Sequence, residues 1–258
     1  MSVPNVVVHR DAKVLASAVA ARIITRLVDV QSARGYASLV LTGGSVGIAT
    51  LAAIAATPAR DAVDWRALDI WWGDERFLPE GDPERNETGA RAALLDHVDV
   101  DPARVHVMVG PDSGLSAEES ADAYAAELRK AARPEDHGPV PCFDVMLLGM
   151  GPDSHVASLF PGMPALYDTR PVVAVHGSPK PPPTRISLTM PTIQASREVW
   201  VVAAGEEKAG AVRLALSDDS GPVQVPAAGA RGRGRTLFLL DRAAATKIPA
   251  SMGRIASP

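Results

Sequence analysis

The chain has 258 residues, 47% of them hydrophobic, which is enough apolar material for the core of one large α/β domain. Charged residues make up 22% of the chain and the formal net charge is −4, so the global basic field typical of nucleic-acid partners is excluded. The single cysteine, Cys142, excludes an internal disulfide and a thiolate metal cluster, which suits a reducing compartment.

Short apolar runs rich in valine, isoleucine and leucine recur along the chain and are typical of buried strands. In chain order they cover residues 6–8, 39–41, 68–72, 105–108, 145–148, 186–188, 199–202 and 237–240. Segments with helical periodicity lie between most of them, at residues 15–27, 86–97, 116–133 and 206–216. This alternation predicts a single α/β domain over residues 1–258, a doubly wound, mostly parallel sheet with helices on both faces.

Ligands of such sheets bind outside the carboxyl ends of the strands, so the residues that follow each apolar run are the candidates for function. The amino-terminal segment MSVPNVVVHRDAKV lacks the apolar core of a secretion signal. No apolar run approaches the roughly 20 residues that a membrane span needs. We therefore expect a cytoplasmic protein without a membrane partner.

The first candidate segment is a glycine turn, Thr42-Gly43-Gly44-Ser45, between an apolar run and an alanine-rich helix. Glycines let backbone N–H groups approach an anion, the helix start adds a positive dipole, and the hydroxyls can donate, so the turn can hold a phosphate. A plain turn with Ser45 as helix N-cap explains the same residues. The segment also matches the G-x-S-x-G elbow of serine hydrolases, which we reject because only one strand precedes Ser45 and the elbow needs an earlier oxyanion loop.

The second segment, Asp74-Glu75-Arg76, ends the apolar run 68–72 abruptly with two acids and a base. Such an acid pair can orient the arginine onto a substrate oxygen. A solvated salt-bridge cluster is the alternative interpretation.

The third segment places a histidine in a glycine-rich turn after the run 145–148, which we interpret as a strand-to-helix turn. Of six histidines, only His155 has this setting, with Asp153 two residues before it. A histidine in a cleft is the usual general base at neutral pH, and Asp153 could fix its tautomer. Gly149-x-Gly151 resembles the start of a dinucleotide fingerprint, but Ser154 replaces the third glycine and Pro152 intrudes, so we expect no nicotinamide cofactor.

Two further cations, Arg185 and Lys208, follow or precede apolar runs in the carboxyl-terminal half. Together with the glycine turn they would suffice to bind a phosphate dianion in a protein that is acidic overall. Each alone is more often a surface charge. No H-x-x-x-H or H-E-x-x-H pattern is present, so we expect a site without a metal ion.

Taken together, the segments LTGGS, WWGDERFLP with ERN after it, FDVMLLGMGPDSHVASLFPG, RISLTMP and the Lys208 segment resemble the 6-phosphogluconolactonase family over nearly the whole chain. The resemblance implies a fold similar to that of glucosamine-6-phosphate deaminases. It also implies metal-independent, cofactor-free hydrolysis of 6-phospho-D-glucono-1,5-lactone, a small phosphorylated sugar lactone.

The resemblance further implies His155 as general base and a phosphate site near Gly44, Ser45, Arg185 and Lys208. It implies that Arg76 and Asp74 line the pocket close to the reacting end of the sugar. The chain departs from the family at Ser154, where the family usually has glycine between the aspartate and the histidine. A serine held at positive φ would store about 1–2 kcal/mol of strain or shift the imidazole.

Two alternatives remain. An aminosugar-phosphate deaminase or isomerase carries a glutamate soon after the histidine, whereas residues 156–160 contain no carboxylate. A non-catalytic sugar-phosphate sensor would keep the phosphate groups and lose the base, but His155 is present.

Overall fold

The computed structural model describes residues 1–217, 219–249 and 251–256. The strands within these ranges are β1 (Pro4–His9), β2 (Ala37–Leu41), β3 (Leu68–Trp72), β4 (Asp74–Arg76), β5 (Val145–Gly149), β6 (Val172–Val175), β7 (Arg185–Leu188), β8 (Glu198–Ala203), β9 (Arg235–Asp241) and β10 (Gly253–Ile255). The helices are α1 (Ala12–Arg34), α2 (Gly44–Ala56), α3 (Asn86–Ala93), α4 (Ala117–Ala131), α5 (Met190–Gln194), α6 (Ala209–Ala215) and α7 (Pro226–Gly229).

Seven strands form one sheet in the order β10-β1-β9-β8-β5-β2-β3, and every neighbouring pair is parallel. Successive side chains of a strand point to opposite faces, and β5 shows the result: Val145 and Leu147 join one hydrophobic core, Met146 and Leu148 the other. Helices α1 and α2 contribute to the first core, and α4 and α6 to the second. The predicted parallel sheet with helices on both faces is confirmed.

None of the helices in the described ranges combines the length and the apolar composition that a membrane crossing requires.

A second, three-stranded antiparallel sheet in the order β4-β7-β6 was not predicted from the sequence. Its pairing sets Asp74 opposite Ser187 and Arg76 opposite Arg185. The apolar run 186–188 is therefore a strand, as predicted, but it belongs to this small sheet. Because β4 follows β3 after the single residue Gly73, the small sheet begins where the large sheet ends.

The prediction of a strand at 105–108 is wrong. Among the described residues, the segment forms one isolated bridge, between Val105 and Ile70, and no ladder. Two of its four backbone carbonyls accept from side chains, which makes them less available to a neighbouring strand. The carbonyl of His106 accepts from the Tyr124 hydroxyl, and that of Met108 accepts from the Arg85 guanidinium.

The helix boundaries differ from the predicted ones at their ends, where local capping decides them. Ser116 is the N-cap of α4, since its hydroxyl accepts from the Glu119 N–H while the Glu119 carboxylate accepts from the Ser116 N–H. The predicted helices at 86–97 and 206–216 each break into an α-helix and a 3-10 turn, Leu95–His97 after α3 and Glu206–Lys208 before α6.

The turn after β5 does not enter a helix, so its interpretation as a strand-to-helix turn is wrong. The chain folds back on itself instead, with the Gly151 N–H donating to the His155 carbonyl at 3.0 Å and the Ser154 N–H donating to the Gly151 carbonyl at 3.0 Å. Ser154 is buried and has a φ of 67°, in the left-handed region that favours glycine. The tight reversal therefore holds Ser154 at positive φ, at the position where the family usually has glycine.

Replacing Ser154 with glycine should raise the free energy of unfolding by up to about 1.5 kcal/mol. The relief of about 1–2 kcal/mol of left-handed strain exceeds the roughly 0.5–1 kcal/mol that glycine costs in conformational entropy. Ser154→Ala is the matched control, because it loses the same hydroxyl but keeps the Cβ atom and hence the strain. Denaturant unfolding of the three proteins measures the difference, and equal stability of the two variants would contradict the strain.

Candidate functional site

A cleft of about 260 Å³ opens where the chain leaves β2, β3, β5 and β8. Most of the side chains and glycines predicted for the site line it, namely Thr42, Gly43, Gly44, Asp74, Arg76, His155, Arg185 and Lys208. Ser45 lies in an adjoining depression that shares Gly43, Gly44 and Arg76 with the cleft. Asp153 contacts the cleft through His155. Parallel strands bring their carboxyl ends to one edge, which is why segments far apart in sequence meet here.

His155 is the central titratable group of the cleft. Its side chain is only 15% exposed, its ring lies 4.5 Å from the Phe160 ring between centroids, and its Nδ1 lies 2.6 Å from Asp153 Oδ1. Burial lowers the pKa of His155 below its ordinary value of 6.5, although the hydrogen bond and charge of Asp153 act to raise it. Because Nδ1 is engaged by the carboxylate, Nε2 is the nitrogen available to a ligand.

Asp153 remains ionised beside this histidine. Burial acts to raise its pKa, but the hydrogen bond with His155 and the charges of His155 and Lys180 outweigh burial and hold the pKa below the usual 3.8. The contact also explains Gly151, because a Cβ there would collide with the His155 ring and the Asp153 carboxylate. Residues two apart meet only because the loop folds back at Gly151.

Asp74 and Arg76 lie on β4 at the other side of the cleft. Asp74 is buried, and its Oδ2 accepts from the Ser158 hydroxyl at 2.6 Å. Arg76 Nη1 donates to the Glu84 carbonyl at 2.8 Å and to Asn86 Oδ1 at 2.6 Å. Among the described residues no ion pair joins Arg76 to a carboxylate, so its positive charge remains available to a ligand.

Glu75, between Asp74 and Arg76 on β4, is buried. Its carboxylate accepts from the backbone N–H groups of Arg76, Asn86 and Glu87 at 2.7–2.8 Å. Burial raises the pKa of Glu75 to about 6, against the lowering effect of the Glu87 and Asn86 N–H groups. The interpretation of Asp74-Glu75-Arg76 as a solvated salt-bridge cluster is therefore wrong, since two of its three members are buried and hydrogen-bonded elsewhere.

Arg185 is buried on β7, directly opposite Arg76, and backbone carbonyls hold its guanidinium. Nε donates to the Pro182 carbonyl at 3.2 Å, and Nη2 donates to the carbonyls of Lys180 and Pro181 at 3.1 Å each. The acceptors of Arg185 and of Arg76 are all neutral. They therefore do not cancel the positive charges of these two guanidinium groups, which lie on neighbouring strands.

Lys208 ends the 3-10 turn before α6. Burial lowers the pKa of Lys208, and the positive charge of Lys180 lowers it further. Lys180 itself lines the cleft, and its charge also acts on His155 and Asp153. Lys180 is not among the site residues predicted from the sequence. The signal that could have found it is a lysine among prolines five residues before Arg185.

The glycine turn at the start of α2 is positioned by contacts with two neighbours. Gly43, not Ser45, is the N-cap of α2, so the N-cap interpretation of Ser45 is wrong. The Gly149 N–H donates to Thr42 Oγ1 at 3.2 Å, which ties this turn to β5. Gly44 has a φ of 77°, and a Cβ at Gly43 would collide with the side-chain amide of Asn86.

Asn86 is the second site residue that the sequence interpretation missed. It was assigned only to the start of a helix, which it does begin, but its side chain also lines the cleft. The letters ERN after the acidic segment were its only sequence signal.

Comparisons with known proteins identify the family. A family model described as glucosamine-6-phosphate isomerases/6-phosphogluconolactonase matches residues 10–238. The chain is 62% identical to a 6-phosphogluconolactonase of Streptomyces coelicolor over 96% of both chains, and 47% identical to one of Mycobacterium tuberculosis over 95% of this chain and 98% of the other.

Among solved structures, the chain is similar to a 6-phosphogluconolactonase of Trypanosoma brucei, with a TM-score of 0.83, 30% identity and coverage of 95% of this chain and 99% of the other. A monomeric glucosamine-6-phosphate deaminase shares the fold, with a TM-score of 0.76 at 21% identity over 95% of this chain and 100% of the other. The matched motifs, the cleft they build and the family model covering most of the chain lead to one conclusion: the chain belongs to the family of glucosamine-6-phosphate isomerases and 6-phosphogluconolactonases.

Proposed function

We propose that this chain is a 6-phosphogluconolactonase that hydrolyses 6-phospho-D-glucono-1,5-lactone to 6-phosphogluconate, with His155 as the general base. The observation that carries the proposal is the contact of His155 with Asp153 in a cleft that also gathers Arg76, Lys180 and Lys208. The high identity to curated 6-phosphogluconolactonases over almost the full length supports the substrate. We infer a cytoplasmic site of action without a metal ion, a cofactor or a nucleic-acid partner.

A δ-lactone is an activated ester, so catalysis needs an aimed water, a stabilised oxyanion and a fixed substrate. In the proposed reaction His155 Nε2 takes a proton from a water molecule as its oxygen forms a bond to C1. The carbonyl oxygen becomes an oxyanion, which the Arg76 guanidinium or the backbone N–H groups of residues 149–154 stabilise. The bond from C1 to the ring oxygen then breaks, and the imidazolium returns its proton to that oxygen.

Two carboxylates favour the imidazolium that forms during this reaction. Asp153 accepts from Nδ1 and so selects the tautomer whose Nε2 lone pair faces the water. The charge of Asp74 also acts on His155 to raise its pKa, which supports a position of Asp74 near the reacting end. Both groups stabilise positive charge on the ring when it appears.

The phosphate of the substrate is proposed to bind between the glycine turn and the cations of the cleft. Thr42, Gly43, Gly44 and Ser45 would supply N–H and hydroxyl donors at the start of α2, and the helix dipole adds to their effect. The charges come from Arg185, Lys208 and Lys180, the last of which we add to the predicted set. Binding this remote group holds C1 in register with His155.

The deaminase or isomerase alternative finds less support. Residues 156–160, after His155, contain no carboxylate for proton transfer at the sugar carbons. One assay separates the candidates: proton release from freshly made 6-phosphogluconolactone, corrected for spontaneous opening, against ammonia release from glucosamine 6-phosphate. Ammonia release without lactone hydrolysis would overturn the proposal, and binding of sugar phosphates without either activity would favour a sensor.

His155→Asn should lower kcat by about 10²–10⁴-fold with little change in KM, because it removes the base and keeps a polar side chain. Wild-type kcat/KM should rise with pH through an inflection below 6.5, since burial lowers the pKa of His155 and only the neutral ring accepts a proton. The inflection should vanish in the variant. His176→Asn, at an exposed histidine bonded to Glu118, is the control. Full kcat with the inflection intact in His155→Asn would assign the base elsewhere.

Asp153→Asn should move the acid inflection of kcat/KM to lower pH, because the negative charge of Asp153 raises the pKa of His155. It should also lower kcat, since the imidazolium loses its counter-charge. A pH–rate profile measures both effects. Asp168→Asn, which removes a carboxylate that pairs with nearby Arg170, is the matched control. A shift to higher pH would contradict this role for Asp153.

Arg185→Ala, Lys208→Ala and Lys180→Ala should each reduce kcat/KM on the phosphorylated lactone by about 10- to 100-fold, as expected for a charge-assisted bond. Their effects on unphosphorylated gluconolactone should be small. Lys180→Ala should also move the acid inflection to higher pH, because the charge of Lys180 lowers the pKa of His155. Lys130→Ala, at an exposed lysine of α4, is the control. Equal losses on both substrates would show that these cations do not bind the phosphate.

A further inference from the structure

We infer that Asn86 is a positioning residue of this site, whose side-chain amide joins Arg76 to Asp74 and orients both at the reacting end of the cleft. The inference rests on the proposed function, because it assigns Asn86 a part in that reaction.

The amide of Asn86 uses its two ends differently. Its Oδ1 accepts from Arg76 Nη1 at 2.6 Å, and its Nδ2 donates to the Asp74 carbonyl at 2.8 Å and approaches Asp74 Oδ1 at 3.4 Å. The cation on one side requires an acceptor, and the backbone carbonyl and carboxylate oxygen of Asp74 on the other side require a donor. An amide offers both at its two ends, whereas an ionised carboxylate only accepts and an aliphatic side chain does neither.

Asn86 is itself fixed by the buried carboxylate of Glu75. Asn86 is the first residue of α3, and its N–H and that of Glu87 donate to the two oxygens of Glu75 at 2.7 and 2.8 Å. A carboxylate at a helix start is favoured by the helix dipole and by the unpaired N–H groups there. The same Glu75 accepts from the Arg76 N–H, so β4 and α3 are tied together at this point.

The glycine turn closes the third side of the amide. A Cβ at Gly43 would collide with Asn86 Oδ1, so the turn packs directly on this amide. The amide therefore contacts the proposed phosphate turn, the guanidinium and the carboxylate at once, and it cannot rotate without displacing one of them.

Loss of the amide should therefore affect orientation more than binding. In Asn86→Ala, the Arg76 guanidinium loses one of its two acceptors and keeps the Glu84 carbonyl, while the Asp74 carboxylate keeps the Ser158 hydroxyl, as far as the described residues go. A guanidinium that is free to move stabilises the oxyanion less well, and misplacement by about 1 Å can cost on the order of 10²-fold in rate. The cations proposed for the phosphate are untouched.

The test is a double-mutant cycle on the full chain with Asn86→Ala, Arg76→Ala and the double variant. We expect Asn86→Ala to lower kcat by on the order of 10²-fold with KM and the affinity for 6-phosphogluconate nearly unchanged. Because Asn86 acts in part through Arg76, the double variant should lose much less than the product of the two single losses. Multiplicative losses, or a loss confined to KM, would overturn the inference.

Asn86→Asp separates positioning from packing, and it serves if the alanine variant does not fold. The substitution keeps the volume but places a second carboxylate beside Asp74 and pairs Arg76 with a charge. We expect kcat to stay low and the acid inflection of kcat/KM to move to higher pH, since added negative charge near His155 raises its pKa. Recovery of wild-type kcat with an unchanged inflection would show a packing role only.

The control is Gln194→Ala, which removes an amide that donates to the Gly229 carbonyl away from the cleft. It should leave kcat and the pH profile unchanged. A wild-type chain without lactonase activity contradicts the proposed function, whereas an active wild type with multiplicative variants contradicts only the role of Asn86.

Discussion

The antiparallel register between β4 and β7 decides which side chains share the cleft. It sets Arg76 opposite Arg185, and two guanidinium groups so close in a partly buried site would repel one another if nothing else held them. Each is instead bonded to neutral acceptors: carbonyls of the loop before β7 for Arg185, and a carbonyl and the Asn86 amide for Arg76. Neutral acceptors fix a cation without cancelling its charge, so the cleft stays electropositive in a chain whose formal charge is −4.

The loop after β5 supplies the opposite side of the cleft by a different device. Its backbone closes on itself between Gly151 and His155, which brings Asp153 against the imidazole and buries the ring against Phe160. Burial and the charge of Lys180 lower the pKa of His155, while Asp153 and Asp74 raise it. The result is a ring whose pKa lies below 6.5 and which has two carboxylates to stabilise the imidazolium of the proposed reaction. The positive φ of Ser154 accompanies this geometry.

The sequence by itself predicts most strands of the large sheet and most of the residues that line the cleft. Apolar runs report burial, and where both faces of a strand are buried they predicted β2, β3, β5, β8 and β9 and the parallel sheet that these form. The carboxyl ends of parallel strands lie at one edge of the sheet, so the residues that follow those runs converge. For this reason the sequence alone predicts that Asp74, His155 and Lys208 share one site. The motif around His155 also identified the family.

The remaining features depend on tertiary structure, because an apolar run does not specify which strand it pairs with. The run at 105–108 is apolar enough for a strand. Its His106 and Met108 carbonyls instead accept from Tyr124 and Arg85, and it forms no ladder within the described residues. The run at 186–188 pairs with β4 and not with the large sheet. Asn86 begins a helix and Lys180 lies in a loop. Contacts between segments distant in the chain bring both side chains to the cleft. Local sequence determines burial and turns, whereas the acceptor that a polar side chain finds depends on segments distant in the chain.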